Sequence, residues 1–179
     1  MGVQILCAQY RGRGDNENLR RLFDSAILFL GAIAIIISAV FFFGREGLAA
    51  ILGAKGQTAI VLQDYIAGYS FSIIGQALYP LLLWFLNFNG NEKISKTSIA
   101  LMCVLNLCFD MLMAVWSDMG AFGLGLATSL SYLITCAYVF REFLVNYGWG
   151  QTTFSNIRWG ELVECVLKSA SLLSRSISV

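Results

Sequence analysis

The sequence predicts an all-α, polytopic helical membrane protein with about four complete transmembrane helices plus a terminal amphipathic helix. Three observations carry that reading. The 179 residues are 58% hydrophobic and only 13% charged, whereas soluble domains carry about 25% charged residues. Residues 25–44, SAILFLGAIAIIISAVFFFG, run without a charge; at 1.5 Å per residue that is about 30 Å, one bilayer core. Lysine and arginine alternate between the two sides of the predicted spans, ten against two, as the positive-inside rule requires. A net charge of +1 gives no reason to invoke nucleic acid, and the lack of histidine disfavours most metal sites and excludes histidine-based catalysis.

The chain divides into residues 1–24, 25–140 and 141–179. Met1–Tyr10 have no positive n-region and no apolar h-region followed by a cleavage site, so they read as the last turns of a helix rather than a signal peptide. Gly12 and Gly14 end it, and Asp15 can cap a helix that begins at Asn16, with Arg20 and Arg21 on its solvent face. Residues 1–24 are thus the end of a preceding helix and a cytoplasmic loop, and 25–140 hold a four-span bundle. The first span is 25–44; residues 45–64 read as an interfacial segment. The second span, 65–89, carries Gly68, Ser72 and Gly75 at helical spacing, a stripe suited to close helix contact. Pro80 can kink it or free a carbonyl, and Gln76 is a weak candidate to line a substrate path. GNEKISK at 90–96 is a short basic loop. The third span (97–117) and the fourth (122–140) flank a tight turn, and the fourth opens on the small-residue run GAFGLGLATS, so Thr128 is expected to face protein.

In the tail, Trp159, Leu162, Val163, Val166 and Leu167 recur at i, i+3, i+4, i+7 and i+8, an interfacial amphipathic helix. SASLLSRSISV after it is too short to span. The charge count places 1–24, 90–96 and 141–179 in the cytoplasm, with Asp118 outside. Cys103, Cys108 and Cys136 lie in apolar runs, with no CxxC spacing, and read as buried free thiols.

The main lead to function is Asn106 and Asp110. Four residues apart, they share one helix face. A carboxylate inside a span is unfavourable by roughly 2.5–3.5 kcal/mol on insertion scales. With the Thr128 hydroxyl, they form an oxygen set suited to a proton or a sodium ion; the plainer alternative is that Asp110 cements helix packing. No enzyme chemistry is suggested: the sequence shows no nucleophile–base pair, phosphate loop or metal-ligand cluster, and no cofactor is expected.

NLCFDMLM followed by DMGAFGLGLATSLS resembles the multidrug and toxic compound extrusion (MATE) transporters, whose fifth span carries Asn and Asp four apart and whose sixth opens on a glycine-rich "MG..G...AT" pattern. AQYRGRGDNENLRR resembles their loop between spans two and three, and LLLWFLNFNGNEKISK the end of span four with the following "GN.K.P" loop, with Ser95 and Lys96 where proline is common. The resemblance implies a secondary antiporter in the bacterial inner (plasma) membrane, driven by sodium or protons and exporting amphiphilic or cationic small molecules. By motif, its first-half cation site falls on Asn106, Asp110 and Thr128; the acidic residue that family members add from span one has no counterpart here. The family fold has twelve spans in two lobes, so the expectation is a fragment covering about spans two to six of the first lobe, partnered by the lipid bilayer and the remainder of the transporter. The alternatives are a complete four-span transporter acting as a homo-oligomer, a relative of the lipid-linked saccharide flippases, and a non-transporting membrane interaction protein.

Overall fold

A computed structural model describes residues 2–148 and Gly160. The described residues are helical, with no strand among them: α1 (Gly2–Gly12), α2 (Asn16–Phe43), α3 (Arg45–Ile51), α4 (Gln57–Tyr69), α5 (Ser72–Phe88), α6 (Glu92–Asp110) and α7 (Gly120–Tyr147), with a π-helical segment, Met111–Trp116, continuing α6. Among the described residues, three helices are long and apolar enough to cross a membrane: α2, α6 extended to Met113, and α7. Helices α4 and α5 pass the same test together as one span bent by 44°. The chain is an integral membrane protein of the all-α, polytopic class. The amphipathic helix expected at 157–167 and the tail after it lie outside the described residues.

Local chemistry sets these boundaries. Helix α1 ends at Gly12, and Gly14 turns with φ of +74°. Asp15 then caps α2, its carboxylate accepting from the Asn18 backbone N–H (3.1 Å) and from the Asn18 side-chain amide (2.6 Å). Helix α6 starts earlier than the sequence suggests. Glu92 sits in its first turn, where a negative charge suits the helix dipole, and Lys96 pairs with Glu92 at 3.4 Å. The expected basic loop therefore shrinks, and Lys93 and Lys96 stand on the helix itself. Helix α7 runs seven residues past the expected end of the fourth span, because Phe143 continues its buried face and packs edge-on against Phe85, with ring centroids 5.4 Å apart.

The chain forms two compact units, residues 1–30 with 147–179 and residues 31–146. In the first, Leu6, Cys7, Leu19, Leu22, Phe23 and Ile27 are buried. Arg20 does not point to solvent as expected: it is half-buried, and its guanidinium donates to the Tyr147 and Gly148 carbonyls. A cation there satisfies acceptors that the end of α7 leaves open.

The second unit is held by close backbone approach. A Cβ at Gly125 of α7 would lie 2.5 Å from the Tyr65 carbonyl and 2.6 Å from the Tyr69 nitrogen of α4. One at Gly75 would lie 2.9 Å from the Cβ of Tyr132. The small-residue stripes of α4–α5 and α7 are therefore the packing surface, as their spacing predicts. Along α5 and α6 a second seam is polar: Tyr79 and Ser98 hydroxyls meet at 3.1 Å, and Asn87 donates to Ser95 at 3.3 Å. The outer faces carry Ile35, Ile36, Val40 and Phe43 on α2 and Ile99, Val104 and Leu107 on α6. Cys103 and Cys108 belong to that exposed face of α6 and are not buried thiols; of the thiols expected inside the bundle, Cys136 is buried. Their apolar neighbours reflect lipid contact rather than a protein core.

Valine at Gly125 has no room, and overpacking of this kind destabilises by about 1–3 kcal/mol or more. Gly125→Val is expected to lower the thermal unfolding midpoint of the detergent-solubilised protein. Gly47→Ala, which meets nothing within 4 Å, should leave it unchanged or raise it. Removing the α2 cap with Asp15→Ala should weaken the protein by about 0.5–2 kcal/mol in the same assay.

Candidate functional site

The polar residues of the second unit gather where the α4–α5 span is broken and along the facing part of α6. Asn106 and Asp110 stand one turn apart on α6, and both are half-buried. Asp110 is the last residue of α6, and the π-helical segment starts at the next. Wider turns of this type are frequent at functional sites. Among the described residues, no hydrogen bond joins Asn106, Asp110 and Thr128 to one another. Thr128 is half-buried on α7, and its hydroxyl donates back to the Leu124 carbonyl at 3.2 Å. Asn106 and Asp110 therefore share a helix face, and Thr128 is on another helix with its proton already committed.

Asp110 instead acts electrostatically on a tyrosine of α4. Its carboxylate lies within electrostatic range of the Tyr65 phenol. Tyr65 stacks on Tyr69, with ring centroids 5.6 Å apart and planes at 20°. The Tyr69 hydroxyl accepts from the Gln76 amide at 2.7 Å, and the same Nε2 donates to the Ser72 hydroxyl at 2.8 Å. Hydrogen bonds thus link Tyr69, Ser72 and Gln76 across the break, and Tyr65, stacked on Tyr69, is the ring within electrostatic range of Asp110. Tyr65 and Tyr69 lie at i and i+4, a spacing visible in the sequence. The electrostatic relation of Tyr65 to Asp110 depends on how α4 and α6 lie in space and has no local signal in the sequence.

The bend itself lies at Ser70–Phe71, not at Pro80. Pro80 sits inside the continuous helix α5, where its missing N–H leaves the Gln76 carbonyl without its usual helical donor. Asp24 is a further buried acid: it is fully enclosed within α2 in the first unit, four residues after Arg20. Its place at the polar edge of an apolar run concealed that burial. No group of three or more cysteine, aspartate or glutamate residues suited to a metal ion occurs among the described residues.

Residues 1–112 match the MatE family. The chain belongs to that family. Its motifs in α1–α2, α5–α6 and α6 are those expected of the multidrug and toxic compound extrusion transporters. The multidrug export protein MepA of Staphylococcus aureus is 26% identical over 117 residues, covering 65% of this chain and 25% of MepA. MepA of Staphylococcus saprophyticus is 27% identical over the same length and the same shares. The chain thus spans about a quarter of the length of the curated relatives it matches. No solved structure matches it.

Tyr69→Phe keeps the ring stack and removes the acceptor for Gln76. It should lower stability by about 1 kcal/mol, the usual net worth of one hydrogen bond, measured by thermal unfolding in detergent. A Tyr69→Phe midpoint equal to the wild type's would show that the Gln76–Tyr69 bond is not made.

Proposed function

We propose that this chain contributes one cation-coupled part of a secondary antiporter that exports cationic or amphiphilic small molecules in exchange for sodium or protons. The observation that carries the reading is Asp110: an acid held half-buried in a membrane span, one turn from Asn106. Ionisable side chains within spans face bundle interiors or cavities and mark ion pathways. Membership of the MatE family, and the multidrug export named for its relatives, supply the transport class. Asn106 contributes an amide oxygen to the same face. Thr128 gives its proton to the Leu124 carbonyl, so it joins the set as an oxygen ligand for a cation, through its lone pairs.

The coupling chemistry follows from charge. An organic cation and a proton, or sodium, cannot both neutralise one carboxylate, so loading one favours release of the other. The exchange needs two conformations that open the site to opposite sides, and family architecture provides them through two lobes.

The test uses membrane vesicles containing the chain, with ethidium binding followed by fluorescence and competed with sodium or protons. Ethidium binding that weakens as the sodium or proton concentration rises is expected, and Asp110→Asn should reduce that competition at least tenfold at equal membrane abundance, with Asp110→Glu partly restoring it. Equal competition in the wild type and Asp110→Asn would rule out a coupling role for this carboxylate, and no competition in the wild type would rule out a cation site in this chain.

A further inference from the structure

The break between α4 and α5 has an unusual hydrogen-bond economy. In a continuous helix the carbonyls of Ala67, Gly68 and Tyr69 would accept from the N–H groups of residues 71, 72 and 73. Here each of the three accepts from a serine hydroxyl instead. Ser70 donates to Ala67 at 2.8 Å, Ser129 of α7 to Gly68 at 2.6 Å, and Ser72 to Tyr69 at 2.7 Å. The main-chain bonds that cross the break are Ser70 N–H to Ile66 (2.9 Å) and Ile73 N–H to Ser70 (3.3 Å), the latter a tighter i→i−3 bond. Gln76 adds a strap, its amide holding Ser72 and Tyr69 together from the far arm.

Two features make this arrangement reversible. Ser70 (φ −54°, ψ −36°) and Phe71 (φ −69°, ψ −21°) both keep right-handed helical backbone angles. No forbidden region of backbone space separates the bent span from a straight one. The three carbonyls also have a second set of donors within one turn, the N–H groups of residues 71–73. Bent and straight forms can therefore both satisfy the backbone, the condition for a two-state element in lipid.

We infer that Ser70–Phe71 is a conformational hinge of the α4–α5 span, held bent by serine hydroxyls, with Ser129 of α7 as its external latch. Ser129 differs from the other two serines because it lies on a neighbouring helix. When α7 withdraws its hydroxyl, the Gly68 carbonyl can only recover a donor by taking back the N–H of Ser72, which straightens the span. The α4 arm, with Tyr65 and Tyr69, is held against α7 at Gly125, so the state of the hinge sets how the α5 arm, with Gln76, stands relative to the tyrosine pair. The hinge does not require Asp110 to carry a cation.

Arms of 13 and 17 residues at 1.5 Å per residue lengthen end to end by about 3 Å when a 44° bend opens. Spin labels at Gln57 and Phe88, the outer ends of the two arms, in a chain with its cysteines replaced by serine and reconstituted in nanodiscs, report that distance by electron–electron double resonance. Ser129→Ala is expected to add or enlarge a population about 3 Å longer. Ser131→Ala is the control for truncating a buried serine of α7, since Ser131 donates only to Ala127 of its own helix at 2.8 Å; it should leave the wild-type distribution unchanged. Ser70→Ala combined with Ser72→Ala should shift the distance in the same direction as Ser129→Ala. A Ser129→Ala distribution identical to the wild type's, or an equal shift from Ser131→Ala, overturns the hinge.

Discussion

The backbone contact between α4 and α7 at Gly68 and Gly125 is the constraint on which the second unit depends. In a bilayer, lipid tails are as apolar as leucine, so helices associate through close van der Waals contact and interhelical hydrogen bonds rather than by leaving water. Glycine at both positions lets the two main chains touch, with space at Gly125 for no atom beyond hydrogen. That proximity is what brings Ser129 within 2.6 Å of the Gly68 carbonyl. It also fixes the part of α4 that bears Tyr65 and Tyr69, and so the stack whose Tyr65 lies within electrostatic range of Asp110. A side chain at either glycine would separate the helices and break the hydroxyl contact and the tyrosine placement together.

Against this tight pair, α6 is loosely held. Much of its surface is exposed, and its bonds to α5 lie at the Ser95–Ser98 end. The half-buried acid is at the opposite end, where the regular helix gives way to the π-helical segment. An acid on a weakly packed helix end can change its surroundings without disturbing the glycine contact. That division of labour suits a site that must bind and release an ion, because tightly interlocked cores move only as rigid blocks.

Much of this was legible in the sequence. The uncharged run at 25–44, the capping aspartate at 15 and the glycine stripes each carry a local signal, because bilayer thickness, cap chemistry and helix periodicity act on neighbours in the chain. The Asn106–Asp110 pair was legible for the same reason: i and i+4 spacing fixes a shared face. What the sequence hid was set by contacts between elements. Tyr65 and Asp110 are 45 positions apart, and nothing local marks them as neighbours. The exposure of Cys103 and Cys108 was hidden because an apolar run looks alike whether it faces lipid or protein. Arg20 was misread as a surface charge because its acceptors, Tyr147 and Gly148, come from the far end of the chain.

The position of the bend completes the argument. Proline was the obvious candidate to break the span, yet α5 runs straight through Pro80 and the break falls ten residues earlier. A proline removes a donor permanently, so a helix kinked by it has no straight alternative that restores the lost bond. Serine hydroxyls remove nothing: they offer the carbonyls a second partner while the amide donors stay in place. A span bent by serines thus keeps both geometries open, and the choice between them passes to the neighbouring helix that supplies one of the hydroxyls. Pro80 then has a separate consequence. It removes the N–H that the Gln76 carbonyl would accept from in a regular helix, on the residue whose amide straps the break, and that loss stays with the arm beyond the hinge whichever way the span is set.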